Sequence, residues 1–227
     1  MYVLRFLILF ASFFLYGREI NQSYDFQSIK EFRFSGAGII EIKQGEANHL
    51  EISAPPSLLE HIFISADNKI LTIESNGSDK LSAQLTSKDL EKIVLKGNVQ
   101  VDIDKLIGEH LILEVGQTGT AIVEGTLDLN RLIVSLYGNS TADLRGKVGE
   151  QAVFIEDSAT YVANKLKTTN TLVRNSGTGN AYIWATDQLN TSLLGDGSIQ
   201  YIGTPKHIYP PINGNNNILP YIEGTIK

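Results

Sequence analysis

Carboxylates and aromatic rings are the side chains of this sequence whose types and spacing could do chemistry. Asp102 and Asp104 stand two apart in the run Val99-Gln100-Val101-Asp102-Ile103-Asp104, so both face one side of a strand. Carboxylates a few ångströms apart hold calcium or carry the acid–base cleavage of a glycan. Strand geometry keeps this pair roughly 7 Å apart, which reads as the solubilising face of an exposed strand. The four histidines, His49, His61, His110 and His207, fall in separate segments without metal-ligand spacing. No catalytic constellation emerges, and no metal or cofactor is expected. The aromatic rings offer more. If Thr160, Val162, Ala181 and Ile183 point inward, then Tyr161, Tyr182 and Trp184, the sole tryptophan, point outward. Flat amphipathic rings on a rigid sheet suit stacking against a sugar or a protein partner, and these three residues form the predicted binding surface. The competing reading is a ladder that stiffens the sheet, or a patch covered by the tail that carries Tyr209 and Tyr221.

The elements that must position these side chains repeat. A polar or glycine corner is followed by two inward-type residues one apart in Gly119-Thr120-Ala121-Ile122-Val123 and Ser140-Thr141-Ala142-Asp143-Leu144. The phrase returns as Ser158-Ala159-Thr160-Tyr161-Val162, Gly179-Asn180-Ala181-Tyr182-Ile183 and Gly197-Ser198-Ile199-Gln200-Tyr201. The corners are 21, 18, 21 and 18 residues apart. A period near 20 with strand alternation inside it means one unit stacked in parallel on copies of itself, and roughly six coils fit between Leu90 and Gly203. Aligning the corners predicts an interior file of Ala121, Ala142, Thr160, Ala181 and Ile199. Val123, Leu144, Val162, Ile183 and Tyr201 lie beside it, and one outward column reads Ile122, Asp143, Tyr161, Tyr182 and Gln200.

Before the coils, residues 20–89 read as a block of antiparallel or mixed strands with one helical turn near Ser87–Glu91. A stack needs such an atypical start, because a bare terminal coil exposes an unpaired edge. Within the first 19 residues a single charge, Arg5, precedes an apolar run from Phe6 to Tyr16. That run suits a secretion signal and is too short to span a bilayer as a helix. Domain boundaries follow: 1–19 signal peptide, 20–206 the β-helical domain with its coils at 90–206, and 207–227 a C-terminal cap or tail. The net charge of −6, with lysines and arginines standing singly, excludes a nucleic-acid partner. The absence of cysteine excludes disulfides, cysteine-bound metal and a lipid-modified N-terminal cysteine. Membrane contact is expected only through the signal segment, if it stays uncleaved.

Three stretches resemble one known family, the bacterial auto-transporter adhesin head, or GIN, domain, whose function is unassigned. They are Phe34-Ser35-Gly36 through Gly45, Ala54-Pro55-Pro56 through Ile73, and the closing Leu194-Gly195-Asp196-Gly197-Ser198-Ile199-Gln200-Tyr201-Ile202-Gly203-Thr204-Pro205. Ser140 and Ser158 depart from the family by standing where glycine is usual. The resemblance implies a right-handed parallel β-helix-like head and a secreted or periplasmic location, and it brings no catalytic residues. The expected protein is an all-β solenoid with an N-terminal mixed-strand cap. It would act as a non-catalytic, adhesin-like module of the cell envelope that binds a cell-surface glycan or envelope protein. The alternative is a carbohydrate-active enzyme, a polysaccharide lyase or hydrolase, on the same scaffold.

Overall fold

The computed structural model describes residues 19–77, 79–116, 119–209 and 217–220. Residues 1–18, nearly all of the predicted signal, lie outside these, as do 210–216 and 221–227 of the predicted cap or tail. The N-terminal block holds β1 (Ile20–Phe26), β2 (Glu31–Gln44), β3 (Asn48–Ala54), β4 (Ile62–Asp67), β5 (Ile70–Ser75) and β6 (Leu81–Ser87). Between β3 and β4 lies α1 (Pro56–Leu59), a helical turn in a stretch that the sequence reads as strand. Pro56 suits the first turn of a helix, where an N–H has no partner anyway, and Leu58 enters the core. The helical turn expected at Ser87–Glu91 is absent. Ser87 is instead buried and donates its hydroxyl hydrogen bond to the carbonyl of Ile29 (3.1 Å), so β6 runs to its end there.

The coils follow as β7 (Lys92–Val115), β8 (Ala121–Leu136), β9 (Thr141–Ile155), β10 (Thr160–Asn175), β11 (Asn180–Leu193) and β12 (Ser198–Ile202), then the short β13 (His207–Tyr209) and β14 (Ile218–Pro220). Strand order in the sheet is β1-β3-β6-β2-β7-β8-β9-β10-β11-β12-β14, and every pair from β6 onward is parallel. β1 and β6 flank β3 in antiparallel fashion, β4 and β5 form an antiparallel hairpin against β2, and β13 pairs with β11. The chain is a parallel β-solenoid of about six turns begun by mixed strands, the architecture that the repeat implies. Long strands such as β8 bend round the coil. Its buried–exposed alternation holds from Ala121 to Leu129, breaks at the exposed pair Asn130-Arg131, and resumes at Leu132.

Stacking sets which residues meet inside. One interior file reads Val101, Val123, Ala142, Tyr161, Ala181 and Ile199, and on another wall Leu113, Val134, Val153, Val173 and Thr191 align. All are buried, and each fully buried Val or Leu contributes about 1.5–3 kcal/mol. This register corrects the predicted files. Ala121 lies one inward step ahead of Ala142 rather than beside it, while Thr160 and Val162 turn outward. The error came from treating the visible turn residues as equivalent. The inward corner position is held by Ala121, Ser140, Ala159, Gly179 and Gly197, spaced 19, 19, 20 and 18 residues apart. Ser158 is an exposed turn residue one place earlier. Only small side chains fit this column: a Cβ on Gly179 would stand 1.7 Å from the carbonyl oxygen of Ala159.

Candidate functional site

The three predicted surface rings part company. Tyr161 is fully buried and occupies the interior file between Ala142 and Ala181, so its predicted outward orientation is wrong. Alternation is preserved, but its phase is set by Ala159 filling the inward corner, which turns Thr160 out and Tyr161 in. The buried phenol is tolerated because it is paired. Tyr161 donates to Gln151 Oε1 (3.0 Å), and Gln151 Nε2 donates to the hydroxyls of Thr171 (3.1 Å) and Thr168 (3.5 Å). Thr168 and Thr171 lie 2.5 Å apart, and Thr168 donates onward to the carbonyl of Trp184 (2.7 Å). Burial pushes the Tyr161 phenol far above its ordinary pKa, so it stays a donor. The chain of bonds ends on the backbone of the one tryptophan.

Tyr182 and Trp184 do lie on the outward side of β11, both half-buried, with Ile183 between them pointing in. Tyr182 is flanked in register by Val162 and Gln200. Trp184 faces Lys167, because β10 carries three extra residues between Ala163 and Lys167 where β11 passes directly from Ile183 to Trp184. The Lys167 ammonium lies 5.8 Å from the indole centroid, within cation–π range. Gly203 packs against the other edge of the ring: a Cβ there would stand 2.9 Å from Trp184 Cδ1. The indole is thus held by its backbone bond, a cation and a glycine, while part of its surface stays open.

The true register also assembles carboxylates that the corner alignment scattered. Glu41, Asp102, Glu124 and Asp143 are consecutive register partners on four strands, directly up the column from Val162 and Tyr182. Glu41 is held below the usual carboxylate range by hydrogen bonds from Lys43 (2.8 Å) and then from Gln84 (2.5 Å). Among the described residues no three His, Cys, Asp or Glu side chains converge as a metal group. At the N-terminal end the same face dips into a shallow depression of about 350 Å³ lined by Asn21, Ser23, Glu51, Ser53, Ser82 and Gln84. The histidines stay apart: His49 lies 2.6 Å from Asp25 and 3.3 Å from Glu51, and His110 lies 3.7 Å from Glu91.

A parallel stack of coils that carries two half-buried rings on its outward side places the chain in the class of β-helical domains. Within that class, residues 25–205 match the family described as "Putative auto-transporter adhesin, head GIN domain", and the chain belongs to it. No curated protein matches the chain in sequence. Among crystal structures, a "putative adhesin" from Bacteroides fragilis NCTC 9343 is 21% identical with a TM-score of 0.82, over 91% of this chain and 98% of that one. A "putative lipid binding protein" from Parabacteroides distasonis ATCC 8503 is 18% identical with a TM-score of 0.70, over 91% and 98%. A "putative adhesin" from Parabacteroides merdae ATCC 43184 is 21% identical with a TM-score of 0.64, over 91% and 97%. At these identities the likeness establishes the fold. The family's adhesin description supports an adhesin-like role.

Proposed function

We propose that this protein is a non-catalytic, adhesin-like interaction module of the cell envelope, exported from the cytoplasm, that binds a surface glycan or an envelope protein. The observation that carries the reading is the pair Tyr182 and Trp184, half-open on one side of β11 and fixed there by the solenoid beneath them. A ring that is already held in place loses little freedom when a partner stacks on it, so its contact area converts efficiently into affinity. The adhesin names of the family and of two of the three structural neighbours above support the same reading. The predicted signal at residues 1–19 supports export. Among the described residues no helix is long and apolar enough to cross a membrane.

Tyr182→Ala and Trp184→Ala, separately and together, are tested for binding to intact cells and to a glycan array, with circular dichroism as the check on folding. The proposal expects a folded double variant that loses at least tenfold in binding. A folded double variant that binds as the parent does refutes the ring surface. Fractionation of cells expressing a C-terminally tagged chain tests the location, and recovery of the protein in the cytoplasm removes the adhesin reading.

A further inference from the structure

Lysines and arginines that stand singly in the sequence are brought together at one bend of the solenoid. Lys165-Leu166-Lys167 of β10 stacks residue for residue on Arg145-Gly146-Lys147 of β9, which stacks on Thr126-Leu127-Asp128 of β8. Arg145 is therefore the direct neighbour of Lys165, and Lys147 of Lys167, one strand spacing of about 4.8 Å away between backbones. All four side chains are exposed. Like charges in register weaken a sheet unless something neutralises them, and the chain supplies little that does. Lys147 pairs with Asp128 at 3.2 Å, and Arg145 Nε donates to the Thr126 hydroxyl. Among the described residues Arg145, Lys165 and Lys167 have no carboxylate within ion-pair distance. Two register-matched cation pairs therefore stand on a chain whose net charge is −6.

The bend is also rigid. Gly146 has φ 113°, a left-handed conformation, and a Cβ there would stand 2.1 Å from the carbonyl oxygen of Leu127 in the coil below. Leu166, directly above Gly146, is fully buried and anchors the residues that carry Lys165 and Lys167. Next in the same column comes Trp184, so the cations and the half-open indole form one continuous surface.

We propose that Arg145, Lys147, Lys165, Lys167 and Trp184 form a binding site for an acidic polysaccharide, with the four cations taking its anionic groups and the indole stacking on a sugar ring. This rests on the interaction-module reading above and names the chemical class of its partner. Charge complementarity carries the choice of an anion, and the ring carries the choice of a glycan. Trp184 lies against Lys167 and Gly203 instead of projecting, a posture suited to a flat sugar face and not to insertion among lipids.

The test measures binding of the purified full-length protein to dextran sulfate, polygalacturonate, uncharged dextran and phosphatidylglycerol vesicles. The site predicts binding to the two acidic polymers and none to vesicles, with affinity falling at least tenfold between about 0.05 and 0.5 M salt as the charges are screened. Lys165→Glu with Lys167→Glu should abolish that binding, Lys165→Gln with Lys167→Gln should weaken it at least tenfold, and Lys88→Glu, away from the bend, should leave it unchanged. Binding to neither acidic polymer, equal binding by the Lys165→Glu, Lys167→Glu variant, or binding to vesicles in place of the polymers overturns the proposal. If that variant keeps full cell binding while Tyr182→Ala with Trp184→Ala loses it, the acidic-glycan assignment fails and the interaction module stands.

Discussion

Removing one oxygen atom from the middle of the solenoid tests which way its fourth coil, β10, faces. Tyr161→Phe keeps the ring and deletes the hydroxyl that satisfies Gln151 Oε1, an acceptor on a residue only 3% exposed. A buried polar group left without a partner costs about 1–3 kcal/mol, whereas a surface change away from special features stays within about 0.5 kcal/mol. At roughly 2–4 °C per kcal/mol for a chain of this size, the inward orientation predicts that Tm falls by about 2–12 °C. Val162→Thr, on the outward side of the same strand, serves as the control and should move Tm little. Gln151→Met, which removes the acceptor at similar volume, should make the loss of the hydroxyl nearly neutral. The double variant then costs at least about 0.5 kcal/mol less than the sum of the singles. Thermal and urea unfolding are followed by circular dichroism and by fluorescence of Trp184. The indole reports on this network because the main-chain carbonyl of Trp184 accepts the Thr168 hydroxyl, and agreement of the two probes establishes a single transition. A Tyr161→Phe variant as stable as the parent, or strict additivity with Gln151→Met, would refute the buried network and the register that places Tyr161 inside.

Two further outcomes follow from the geometry. Gly146→Ala forces a side chain into a left-handed backbone position against the Leu127 carbonyl, and should destabilise by about 1–3 kcal/mol in thermal melts; an unchanged Tm would show that the bend relaxes freely. His49 joins β1 to β3, and its hydrogen bond with Asp25, aided by Glu51, raises its pKa above the ordinary 6.5. A raised folded pKa stabilises the native state fully below about pH 6.5, and that stabilisation disappears as pH rises through the folded value. His49→Gln should therefore be less stable than the parent at about pH 5, by under about 1 kcal/mol for so exposed a pair, and equal to it at about pH 9. A difference that grows with pH would overturn the assignment.

The all-β class, the parallel stack and the count of about six turns were legible in the chain, since each depends on a local regularity, either strand alternation or recurrence near every twentieth residue. The family was legible only through the resemblance of three stretches, Phe34 to Gly45, Ala54 to Ile73 and Leu194 to Pro205. Tyr182 and Trp184 were legible for the same reason, since alternation from Ala181 and Ile183 places them outward. Tyr161 was not. Both phases of Ser158-Ala159-Thr160-Tyr161-Val162 alternate equally well, and only the fit of Ala159 beneath Gly179 selects one.

Local pattern fixes what kind of strand each segment forms, because side-chain periodicity is a property of a few consecutive residues. It does not fix the offset between coils, because coils differ in how many residues they hold at a bend: β10 carries three residues between Ala163 and Lys167 where β11 passes directly from Ile183 to Trp184. An offset of one or two residues decides whether Glu124 meets Asp143, whether Arg145 meets Lys165, and whether a tyrosine is core or surface. Those meetings were settled only when the backbones stacked, since hydrogen bonding between whole coils and the packing of small residues at the corners choose one register from several that the sequence allows.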